Sequence, residues 1–156
     1  MIRRAQNRDI PGINKLLVQV CNVHADSRPD IFKNGCKKYT DRELMEILED
    51  DETPVFVFTD DRDEEVLGHC FCILESYRDH NVMVDRKTLY IDDICVSESE
   101  RGKHIGSRLY RHAEEFAREN GCYNLTLNVW SFNEKAARFY EAMGMTPYKT
   151  GMEYVL

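Results

Sequence analysis

A chain of 156 residues with 42% hydrophobic residues and a formal net charge of −7 has enough apolar material for one domain with a buried core. The negative balance argues against broad nucleic-acid binding, which needs positive charge to meet phosphates, and no apolar run is long enough to span a bilayer. The first residues, Met1-Ile2-Arg3-Arg4-Ala5-Gln6, lack the apolar stretch of an export signal, so a cytoplasmic protein is expected.

In chain order, residues 2–5 read as a short strand. Residues 9–25 carry Ile10, Ile13, Leu16, Leu17, Val20 and Cys21 at helical spacing, with Pro11 in the first turn, where proline is tolerated. Thr40-Asp41-Arg42-Glu43 is a capping box that opens a second helix through Leu44, Ile47 and Leu48. Strands follow at 54–58 and 65–77, joined by the charged turn 60–64, and a polar loop covers 78–87. A strand at 88–96, a helix at 104–120 with an apolar stripe, a strand at 122–130 and a helix at 133–143 come next. Short strands at 146–149 and 152–155 close the order β-α-α-β-β-β-α-β-α-β-β.

Six cysteines stand at positions 21, 36, 70, 72, 95 and 122, without a C-x-x-C pair, and the histidines show no ligand spacing. They read as scattered free thiols of a reducing compartment, and no metal is expected.

The chemistry concentrates around Tyr90-Ile91-Asp92-Asp93-Ile94-Cys95-Val96 and the turn Arg101-Gly102-Lys103-His104-Ile105-Gly106-Ser107. A strand, a glycine-punctuated basic turn and a helix in succession build an anion site. The first N–H groups of a helix have no partner within it, and the helix dipole adds partial positive charge there. Neither a P-loop signature nor a G-x-G-x-x-G fingerprint is present. Two carboxylates lie just upstream, so a phosphorylated cofactor beside candidate bases is the natural reading. On a regular strand Asp92 and Asp93 face opposite sides, and at most one points into a cleft; a bulge would change which.

Downstream, Asn133, Ala136, Tyr140 and Gly144 form Asn-x-x-Ala-x-x-x-Tyr-x-x-x-Gly. Together with Arg101-x-x-His104-x-Gly106, this resembles the GNAT superfamily of acyl-CoA-dependent N-acetyltransferases over residues 89–145. The resemblance implies an α/β fold: a mixed, mostly antiparallel sheet of about seven strands flanked by four helices, splayed between 88–96 and 122–130 to admit CoA. It implies that residues 101–107 bind the pyrophosphate, that Ile94, Cys95 and Val96 hold the pantetheine arm through their backbone, that Asn133 contacts acetyl-CoA and that Tyr140 protonates the leaving thiolate.

His104 stands where the family usually has glycine. It is either a tolerated replacement or a phosphate donor. Asp92 is favoured as base because the stretch locally resembles polyamine acetyltransferases, with Asp93 the alternative. The connection between the first helices supplies His24, Arg28, Asp30 and Phe32 to an acceptor pocket. Asn128 replaces an acid found in some relatives that act on protein N-termini, which favours a small primary amine as acceptor. Protein amines and a non-catalytic acyl-CoA-binding domain are the alternatives, and a homodimer is possible.

Overall fold

The structure is a computed structural model that describes residues 1–156. Its strands are β1 (Ile2–Arg4), β2 (Val55–Thr59), β3 (Val66–Tyr77), β4 (Arg86–Val96) and β5 (Asn124–Leu127). Its helices are α1 (Ile10–Ser27), α2 (Asp41–Glu49), α3 (Ile105–Glu119) and α4 (Glu134–Ala142). The sheet runs β1-β2-β3-β4-β5; all neighbours are antiparallel except β4 and β5, which are parallel. No helix is long and apolar enough to cross a membrane.

Strand β2 shows why both faces of the sheet are covered. Its apolar residues do not alternate with polar ones, so each face needs a helix. Phe56 and Phe58 join Cys70, Cys72, Leu89 and Ile91 under Ile105, Leu109 and Ala113 of α3. Val55 and Val57 join Phe71 on the opposite face, against Ile10, Ile13 and Leu17 of α1 and Leu44 of α2. The expected capping box forms: Glu43 N–H donates to Thr40 Oγ1, and Thr40 N–H donates to Glu43.

The sheet has five strands, not about seven. Residues 146–156 form neither expected strand; all are exposed, including Tyr148, Met152, Tyr154, Val155 and Leu156. A strand exists only where a neighbour completes its ladder, and β-propensity alone does not supply one. Pro147 also lacks a donor and Gly151 interrupts the segment.

The expected splay is present. The β4–β5 ladder runs from Thr88↔Asn124 to Ile91↔Leu127 and stops, while β4 continues to Val96. One edge of residues 92–96 is therefore left open beside the gap.

Candidate functional site

A bulge in β4 builds the centre of the site. Across β3, Phe71 faces Asp93 and Cys72 faces Ile91, so Asp92 has no partner. One extra residue resets the alternation of side chains. Ile91 remains in the core beneath α3, while Asp92 and Asp93 both turn to the α1/α2 face. The expectation that the two carboxylates face opposite sides is corrected by this inserted residue.

Each carboxylate has its own holder. Asp93 Oδ2 lies 2.6 Å from Nε2 of His69, a fully buried histidine of β3 whose ring meets Phe71 edge-on. Asp92 Oδ2 accepts from Tyr39 Oη at 2.9 Å and from Lys38 Nζ at 2.5 Å. Burial, with the Asp92 charge, pushes the Tyr39 phenol up to about 12, so it stays a donor. Burial pulls Lys38 down, but its hydrogen bond and attraction to Asp92 outweigh this and raise its pKa.

An aromatic cluster joins α1 to the segments 28–33 and 130–132. The His24 and Phe32 rings are 5.0 Å apart, Phe32 meets Trp130 edge-on at 5.3 Å, and Trp130 stacks on Phe132 at 5.8 Å. Burial lowers the His24 pKa, with the Lys38 charge adding to the shift and the Asp93 charge opposing it. Arg28 and Asp30 do not join this cluster: Arg28 pairs with Asp30 at 2.8 Å and with Glu153 at 2.5 Å on the surface. Asn128 lies past the end of β5 and donates to Tyr90 Oη at 3.2 Å.

Residues 101–107 have the geometry of an anion cradle. Gly102 and His104 take φ of +81° and +60°, the left-handed region. His104 precedes α3 without capping it, whereas Thr40 caps α2 and Asn133 caps α4. The N–H groups of Ile105, Gly106 and Ser107 are therefore left for a ligand. Arg101 and Lys103 are exposed and paired, at 3.5 Å with Glu98 and 2.9 Å with Glu100. An anion would draw them from these weak surface partners. Gln19 of α1 fixes the entrance: its amide donates to Val96 O at 3.0 Å and accepts from Glu98 N–H at 3.2 Å. Cys95 is buried against α1, and burial, with the Asp93 charge, pushes its thiol up to about 12, so it is a packing group. Ile94 and Val96 pack toward α3.

On α4, Asn133 Oδ1 accepts from Ala136 N–H at 3.2 Å, which leaves the Asn133 amide NH2 for other partners. Tyr140 packs edge-on against Phe139 at 5.1 Å. Tyr140 also packs against the core cluster of β3 and β4 that contains Cys70, Cys72, Leu89 and Ile91, and burial raises its pKa strongly, so the phenol is a neutral donor.

Residues 4–145 match the acetyltransferase (GNAT) family. The chain belongs to the GNAT acetyltransferases. Among GNAT relatives, the streptothricin acetyltransferase of Streptomyces lavendulae is 48% identical over 56 residues, 36% of this chain and 30% of its own. A probable glucosamine 6-phosphate N-acetyltransferase of Drosophila melanogaster is 30% identical over 90 residues, covering 58% and 38%. A thialysine N-epsilon-acetyltransferase of Bos taurus is 36% identical over 58 residues, covering 37% and 34%. These matches span about a third of each relative's length. The solved structure of a point mutant of the BH1408 protein of Bacillus halodurans superposes with a TM-score of 0.95 at 29% identity, over 100% of this chain and 99% of that one.

The residues that sequence reasoning missed are Lys38, Tyr39, His69, Gln19, Trp130 and Phe132. For Trp130 and Phe132 there was a signal: the chain's single tryptophan and a phenylalanine stand two apart in the polar stretch before Asn133. His69 sits in an apolar run, where an isolated polar residue asks for a partner.

Proposed function

We propose that this GNAT protein moves an acetyl group from acetyl-CoA to a small primary amine by direct attack within a ternary complex. The observation that carries the reading is the β4 bulge. It sets two carboxylates on one face of β4, where the end of the β4–β5 ladder leaves the strand edge open.

The residues fit the cofactor. The α3 amides of Ile105, Gly106 and Ser107, with Arg101 and Lys103, would hold the pyrophosphate, and the open edge of residues 94–96 would take the pantetheine arm. Acetyl-CoA supplies the activated acetyl group as a thioester. The protein's residues do the rest. An alkyl ammonium has a pKa of about 10, so at neutral pH its proton must be removed before it can attack. Asp92 takes it in this reading, with Asp93, held by His69, as the alternative. Backbone N–H groups on the open edge polarise the carbonyl. Tyr140, kept neutral by burial, gives its proton to the departing sulfur. Aromatic faces and carboxylates suit a cationic acceptor, because both attract positive charge.

The decisive experiment is a panel of polyamines, amino acids, amino sugars and peptides assayed with acetyl-CoA for release of free thiol. Turnover only of peptides would replace the small-molecule reading, and CoA binding without any turnover would end the enzymatic one. A cytoplasmic location belongs to the proposal and rests on the six free thiols. So does a homodimer: the outer edge of β5 and the unpaired residues 146–156 offer an edge and a strand to a second copy. Light scattering reads the mass.

A further inference from the structure

We propose that Lys38 is itself an acceptor, acetylated on its ε-nitrogen by the site of its own chain; this rests on the reading of Asp92 as base. Lys38 lies in the connection between α1 and α2, in a stretch with neither helix nor strand. Its Nζ is 2.5 Å from Asp92 Oδ2, so an amine and the carboxylate that would deprotonate it are already in contact. The Lys38 side chain is 49% exposed and that of Asp92 15%, so the amine reaches the more buried carboxylate from the solvent side.

The contact is anchored and selective. Tyr39 stacks on the buried Phe71 ring at 5.7 Å and shares Asp92 Oδ2, which holds the neighbouring lysine at the site. Lys37 turns away to Asp41 at 2.5 Å, and Lys103 pairs with Glu100. Lys38 therefore occupies the place that the acceptor ammonium of a substrate would take.

The reaction balances without a further reagent. The Lys38 ammonium gives a proton to Asp92, and the free amine attacks the thioester carbonyl carbon. The C–N bond forms and the C–S bond breaks. The sulfur leaves as a thiol with the proton of Tyr140, and the second amine proton restores the phenol. Asp92 returns its proton to solvent, so one proton is released overall. The acetylated Lys38 carries no charge, its ion pair with Asp92 is gone, and the carboxylate is free for an external amine. Turnover should then begin with a lag that prior exposure to acetyl-CoA removes.

The test uses the full chain incubated with acetyl-CoA, then digestion and mass spectrometry. Lys38 is expected to acquire acetyl at a rate independent of protein concentration and roughly 10²-fold above exposed Lys135, the smaller end of what a positioned base contributes. In Asp92→Asn that excess should vanish. A second readout needs no cofactor: acetic anhydride should label Lys38 more slowly than Lys135, because Asp92 holds the ammonium, and Asp92→Asn should remove the protection. If Lys38 reacts no faster than Lys135 while small amines are turned over, the self-acetylation proposal is overturned and the small-molecule function stands. If no amine at all is acetylated, Lys38 included, both are overturned.

Discussion

Tyr140→Phe separates catalysis from packing more cleanly than any other change in this site. The substitution keeps the ring and its edge-on contact with Phe139 and removes only the hydroxyl. That hydroxyl makes no hydrogen bond within the protein and is not a fully buried orphan, while burial raises its pKa. Its loss should therefore cost little in folding: a change within about 0.5 kcal/mol, or roughly 1–2 °C in Tm for a chain of this size. If the same hydroxyl protonates the leaving sulfur, turnover should fall by about 10²-fold or more, equivalent to about 2.7 kcal/mol of barrier. The affinity for acetyl-CoA should hardly move, because the interaction is made in the transition state. Thermal melts, calorimetric titration of CoA and thiol release measure the three quantities on one sample. Wild-type turnover in Tyr140→Phe would refute the acid assignment and leave Tyr140 as a packing residue.

Arg101→Ala should weaken CoA binding by about 1.5–3 kcal/mol, the range for a charge-assisted hydrogen bond, and unchanged affinity would move the pyrophosphate elsewhere. His104→Gly should relieve a left-handed side chain worth about 1 kcal/mol and keep or tighten CoA binding; looser binding, more marked at low pH, would show that the imidazole touches phosphate. Asp92→Asn should lose turnover that returns in part at high pH, where free amine is abundant. Asp93→Asn should in addition lower Tm, because buried His69 loses a charged partner, and a larger catalytic loss there would make Asp93 the base. Burial holds His24 below its ordinary value of 6.5. As pH falls through that value the unfolded chain gains a proton that the folded chain refuses, so stability falls toward the lower folded value. His24→Phe should flatten that part of a Tm-against-pH curve.

The element order was legible because it rests on local periodicity: α3 repeats its apolar stripe every three or four residues, and β4 follows a polar loop. The tight turn before α3 was legible too, since glycine and basic residues between a strand and a helix carry their meaning locally, and His104 does take a glycine-like φ. Two things were not legible. Residues 146–155 have strand composition, but pairing is a property of the neighbours, and no strand pairs with them in this chain. The bulge at Asp92 appears only as a mismatch of count between β3 and β4, which neither strand shows alone. Lys38 and Asp92 are 54 residues apart, so nothing local announces their contact.

The bulge also makes β4 a counting device. Upstream of Asp92 odd positions point under α3; downstream even ones do, as Leu89, Ile91, Ile94 and Val96 show. A substitution at 92 changes one group, and deletion of that residue would only remove the bulge, leaving Asp93 opposite Phe71 and Ile94 under α3; inserting one residue between Asp93 and Ile94 would instead change the parity of everything after it. Ile94 and Val96 would be thrown onto the α1 face, Cys95 would leave its place under Gln19, and the approach to the turn at 101 would be rotated half a pleat. The strand's length between the acidic pair and the turn is therefore constrained far more tightly than its composition.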